Sequence, residues 1–119
     1  MPHAHQFDLG GREPFYEDER RGVMFVPNPN DGPDGYDVIV GPNHFYMQSR
    51  ILPDLARPEV STANVMRCLD AMNPTISTIL SQNRMTPEEF HIYLLKVRQR
   101  ELEGSLDNAL ERLTAAGVV

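Results

Sequence analysis

The stretch Thr86-Pro87-Glu88-Glu89-Phe90 does more than any other to limit what this chain can become. Thr86 is placed to cap a helix, Pro87 suits the first helical position, and Glu89 stands where the reciprocal partner of a capping box belongs. A helix starts here. Run unbroken to about Ala116, it would be roughly 45 Å long at 1.5 Å per residue. A compact chain of 119 residues has a radius of gyration of only about 13 to 14 Å. Such a helix has to leave its own domain.

The apolar residues also change face along this segment. Phe90, Tyr93, Leu94 and Val97 share one side, while Leu95, Leu102, Leu106, Ala109, Leu110 and Leu113 lie on a face rotated by ~150° at 100° per residue. Polar Arg98-Gln99-Arg100-Glu101 marks the switch, and Gly104-Ser105 follows it. Two outcomes are open: the helix breaks near Gly104 and its end folds back, or one long helix serves two neighbours. In the second, which is slightly favoured, the leucine face is an apolar patch that calls for a partner.

Upstream, Gly22-Val-Met-Phe-Val-Pro27 and Tyr36-Asp-Val-Ile-Val40 are rich in β-forming residues and are separated by turn chemistry, the pattern of a hairpin. Gly41-Pro42-Asn43 makes a further break, and His44-Phe-Tyr-Met-Gln48 alternates as a third strand would. Residues 49–60 carry Pro53 and Pro58 and read as a connector whose Ile51, Leu52 and Leu55 close over the core. Ser61 then starts a helix that stops at Asn73, ahead of Pro74. A second helix, Thr75–Asn83, puts Ile76, Ile79 and Leu80 on one stripe.

The fold class predicted is α+β, with an irregular N-terminal arm over 1–21 and a single domain over 22–119. That domain has a small antiparallel β-meander at about 22–48 and three or four α-helices at about 61–116. Within the arm, Phe15 and Tyr16 precede a cluster of acids and bases, and such an aromatic pair anchors an arm either to its own core or to a partner.

Charge narrows the function classes. The chain carries 17 acids against 11 bases, a net charge of −6, and lacks the electropositive face that releases counterions from nucleic acid. The two helices joined by Asn73-Pro74-Thr75 leave a helix-turn-helix regulator as a minor alternative, since Ser, Thr, Gln and Asn on the second helix can read bases. No segment approaches the ~20 apolar residues of a membrane span. The first residues lack both a basic start and an apolar stretch, so a secretory signal is not expected and a cytoplasmic location is. One cysteine, Cys68, allows neither an intrachain disulfide nor a Cys-rich zinc site. Its helical face, shared with Val65, Leu69 and Met72, suggests a small buried thiol.

The remaining site candidates carry less. Pro27-Asn-Pro-Asn-Asp-Gly-Pro-Asp-Gly35 matches neither register of an EF-hand calcium loop nor a phosphate loop, and every residue type in it suits a hairpin tip. Irregular calcium binding by Asp31, Asp34 and Asp37 is a remote option. His3, His5 and Asp8 could hold zinc only loosely, and Pro2 has no amide hydrogen to give a terminal copper site. Asp37, His44 and Tyr46 could do acid and base work if their side chains met. No HExxH, GxSxG, CxxC or GxGxxG pattern occurs, and neither a metal nor a cofactor is expected.

The function these features favour is a non-enzymatic protein-interaction subunit or adaptor that contacts another protein chain, itself or a different one. The contacts are assigned to Phe15 and Tyr16 and to Leu102, Leu106, Leu110 and Leu113. The alternative is a small enzyme or ligand-binding domain with a site near Asp37, His44 and Tyr46.

Overall fold

The computed structural model describes residues 11–28 and 35–117. The terminal His3, His5 and Asp8, and Asp31 and Asp34 of the proline-rich loop, lie outside the described residues. Four strands come first: β1 (Tyr16–Asp18), β2 (Val23–Pro27), β3 (Gly35–Val40) and β4 (Asn43–Gln48). A 3-10 turn, Ser49–Ile51, runs into α1 (Leu52–Leu55). Then follow α2 (Thr62–Met72), α3 (Thr75–Gln82) and α4 (Pro87–Ala115). The sheet is an antiparallel meander in the order β1-β2-β3-β4.

The α+β class and the meander are as predicted, with one more strand. Residues 16–18, assigned to the irregular arm, form the edge strand β1, with Tyr16 opposite Phe25 and Asp18 opposite Val23. Three residues are too few to show alternation in a sequence. The strand is set by long-range ties: the Phe15 amide donates to the Phe25 carbonyl at 2.8 Å, and the Tyr93 hydroxyl of α4 donates to Asp18 Oδ2 at 2.6 Å.

Strands β2 and β3 are buried on both faces, which is why they read as apolar runs, broken in β3 by Asp37. On one face Val23, Phe25, Tyr36, Val38, Val40, Phe45 and Met47 belong to the main core with the helices. On the other, Met24, Val26 and Ile39 form a small buried cluster of their own. Phe90 opens the helical side of the core, its ring 6.2 Å from that of Phe25 and 6.0 Å from that of Phe45. Each fully buried side chain of this size contributes roughly 1.5–3 kcal/mol.

Two turns fasten sheet to helices. Gly41-Pro42 closes β3 to β4, with Gly41 at φ +61° where a II′-type hairpin turn places glycine. A Cβ there would lie 2.2 Å from Asn83 Oδ1, so the turn sits directly against the end of α3. Asn83 Nδ2 donates to Asn43 Oδ1 at 3.1 Å and to the Ile79 carbonyl at 2.7 Å. Past Asn83, helix α3 ends in a Schellman motif: the Met85 amide donates to the Leu80 carbonyl at 2.9 Å and the Arg84 amide to the Ser81 carbonyl at 3.1 Å. Arg84 takes the left-handed position at φ 56° that glycine usually fills.

Helix α2 begins at Ser61, whose hydroxyl accepts from the Asn64 amide at 3.2 Å, and ends at Asn73 before Pro74. Its buried residues are Val65, Met66 and Leu69. Cys68 is exposed, a correction to the buried thiol expected. The inward stripe is centred between Val65 and Met66, and Cys68 lies about 110° away from that centre at 100° per residue.

Candidate interaction surface

Helix α4 forms because its first turn is closed twice over. Thr86 Oγ1 accepts from the Glu89 amide at 3.1 Å and Glu89 Oε1 accepts from the Thr86 amide at 2.8 Å, the capping box read from the sequence. Arg21 also bonds Glu89. That bond first, and the Thr86 amide second, hold the Glu89 carboxyl down at about 2.

From this start the helix runs for 29 residues, about 43 Å, with no break at Gly104. Space around Gly104 is open, nothing lying within 4 Å of where a Cβ would stand. Its first half is part of the domain: Phe90, His91, Tyr93, Leu94 and Val97 are buried. The last ties are at Glu101, which accepts from the Tyr36 hydroxyl at 2.5 Å and from Arg98 at 3.2 Å. Beyond it no described side chain of the helix is buried. Leu102, Leu106, Leu110 and Leu113 are 52%, 59%, 47% and 42% exposed. The chain measures 52 × 36 × 28 Å with a radius of gyration of 15.7 Å, larger than the roughly 13.5 Å of a compact chain of this length.

Phe15 and Tyr16 lie beside this helix and pack on the protein's own core. The Phe15 ring is 5.8 Å from that of Tyr36 and lies under the Arg100 guanidinium at 5.4 Å. Tyr16 meets Phe25 and Tyr93 edge-on at 6.4 and 6.1 Å. Tyr16 still reaches the surface, where it lines an open groove of about 360 Å³ with Lys96, Gln99, Arg100 and Glu103 of α4. The aromatic pair and the helix are therefore contiguous, with Tyr16 on the flank of the leucine face.

Asp37, His44 and Tyr46 share the sheet face opposite the helices, Asp37 facing Tyr46 and Ile39 facing His44. Asp37 is buried, and its Oδ2 accepts from Arg12 and from Asn28, each at 3.0 Å. Arg12 also donates to the Pro27 carbonyl at 2.9 Å, so this carboxylate ties the chain before β1 to the hairpin. Tyr46 lies across Gly35, where a Cβ would come within 2.1 Å of its hydroxyl oxygen. His44 is exposed.

Two residues stand out that sequence reading did not single out. Ile92, 49% exposed, extends the outward apolar line of α4 by a turn before Leu95, and its spacing was there to be read. His91 is buried, with Nδ1 3.0 Å from the Thr62 hydroxyl and Nε2 unpartnered among the described residues. Among the described residues no group of three or more His, Cys, Asp or Glu converges into a metal site. Nor is any described helix long and apolar enough to cross a membrane.

The fold and surface define a small α+β domain, a four-stranded meander backed by helices, from which one helix projects. Comparison with known protein families, with curated proteins and with solved structures finds no match for the chain.

Proposed function

We propose that this protein is a non-enzymatic interaction subunit of a larger assembly, a small domain that holds helix α4 out to another protein chain. The observation that carries this is the leucine face: four leucines stand exposed on a helix whose own domain is fully packed without them. Burying them against a partner would be worth roughly 1.5–3 kcal/mol each before the cost of association is deducted. Tyr16 extends the surface on one flank, and the rest of the aromatic pair braces the helix from below. A cytoplasmic setting goes with this role, in keeping with a single cysteine that has no partner to pair with. Asp37 supports the enzymatic alternative less well, because its carboxylate already serves Arg12 and Asn28.

The test is capture of partners by the tagged protein from its native cell extract, alongside the variant Leu106→Glu/Leu110→Glu. A stoichiometric protein partner, or self-association, should be present with the wild type and lost in the variant. Partner binding and oligomeric state both unchanged in the variant would remove the leucine face from any interaction role. Both side chains are exposed, so the variant should fold as the wild type does, which circular dichroism verifies.

A further inference from the structure

Resting on that interaction role, we infer that the partner of α4 is a second copy of this chain, joined to it in a parallel, in-register two-stranded coiled coil. The outward line of α4 follows a 3,4 spacing from Ile92 to Leu113 and on to Ala116, the residue that caps the helix. Ile92, Gln99, Leu106 and Leu113 fall on a positions, and Leu95, Leu102, Ala109 and Ala116 on d positions. That is about three and a half heptads, roughly 36 Å of seam, within the length that distinguishes a coiled coil from an amphipathic helix.

The domain leaves most of this seam clear, with Leu95 alone of its apolar residues packing in part against the main core. Phe90 and Val97, which face the core, occupy f positions, and Tyr93 and Leu94 occupy b and c, on the back of the helix relative to a and d, while the buried His91 takes a g position on the flank. The helix is thus apolar on two opposite sides. One is covered by its own sheet and helices, and the other is open at Ile92, Leu102, Leu106 and Leu113, all exposed. Gly104 falls at f, where the lack of a side chain makes no gap in the seam.

Polar residues choose the occupant and its direction. A lone Gln99 among apolar a positions sets register, as single buried polar residues do. In a parallel pair a faces a, so the Gln99 amides of two identical chains meet and bond one another. In an antiparallel pair a faces d, and every d residue here is leucine or alanine, leaving the amide unsatisfied. A parallel pair also sets g against the e position five residues on, which brings Arg98 of each copy beside Glu103 of the other. Glu103 is exposed and has no ion pair of its own among the described residues. Arg98 is at hand beside Glu101.

Sedimentation equilibrium of the full chain, at low and high protein concentration, tests this. The wild type should form a dimer that dissociates on dilution, because Ala109 and Ala116 make weak layers. Leu106→Glu should be monomeric throughout, with an unchanged far-ultraviolet dichroism of the domain. Glu103→Arg should weaken the dimer and Arg98→Glu/Glu103→Arg should restore it. In a Cys68→Ser background, Leu106→Cys should cross-link into a covalent dimer under mild oxidation, since only a parallel pair brings two equivalent a positions together. A wild type that is monomeric at the highest concentration overturns the inference. So does a dimer indifferent to Leu106→Glu. A dimer that Leu106→Cys fails to cross-link overturns the parallel arrangement. If the wild type is monomeric while a different protein is captured through the leucine face, the interaction role stands and the second copy does not.

Discussion

Removing one hydroxyl group, in Tyr93→Phe, tests how β1 is held to the domain. Tyr93 is 6% exposed and its hydroxyl donates to Asp18 Oδ2 at 2.6 Å, across a sequence separation of 75 residues. A hydrogen bond to a charged group is worth about 1.5–3 kcal/mol, and partial solvent screening at Asp18 brings this to about 1–2 kcal/mol at neutral pH. Burial first, and the bond to Asp18 second, push the Tyr93 phenol well above its ordinary range. The same bond is the main cause that lowers the Asp18 carboxyl. The unfolded chain releases the Tyr93 proton near pH ~10, while the folded chain keeps it to higher pH. This contribution is therefore complete below about pH 10 and shrinks by up to about 1.4 kcal/mol per unit above it. Phenylalanine has no proton to lose, and ionisation of the other tyrosines cancels between the two proteins. The gap between wild type and Tyr93→Phe should be about 1–2 kcal/mol at pH ~7 and close to zero by pH ~11. Urea unfolding of both proteins at the two pH values, at equal protein concentration, measures it. A gap that is absent at neutral pH, or that stays constant into alkali, would refute the reasoning.

Two further outcomes follow from the turns and caps. Gly41→Ala places a Cβ 2.2 Å from Asn83 Oδ1 at a φ of +61°. Left-handed strain of about 1–2 kcal/mol adds to the displacement of a doubly bonded Asn83, about 1–2 kcal/mol more. Thermal unfolding should show a loss of roughly 2–4 kcal/mol, and a loss below about 0.5 kcal/mol would place the turn elsewhere. In acid, Glu89 has a folded value of about 2 against an ordinary 4.5. Its stabilisation is present above that ordinary value and drains away as pH falls toward the folded one. Melting curves of Glu89→Gln across this window should decline less steeply than those of the wild type; parallel declines would count against the Arg21 and Thr86 bonds as the cause.

The parts of the fold that local chemistry specifies were legible in the chain. Thr86 and Glu89 cap α4 as expected, Ser61 and Asn73 bound α2, and turn residues separate the strands of the hairpin. In each, the deciding groups lie within about four residues of one another, so their spacing alone states the bond. The leucine face was legible for the same reason, because 100° per residue needs no knowledge of the rest of the molecule.

Tertiary structure decided what depends on groups far apart. β1 exists because Phe25 and Tyr93 reach it, and Tyr16 turns inward for the same reason. Asp37 is engaged by Arg12, 25 residues away, so a residue that reads as chemistry serves as a tie. Continuity of α4 through Gly104 also lay beyond local reading. A glycine costs a helix only about 1 kcal/mol, too little to say whether the chain turns back. By itself the sequence determined that the leucines of α4 share a face opposite Phe90, Tyr93, Leu94 and Val97. Only the tertiary structure decided that this face is left uncovered, because coverage depends on where every other element lies.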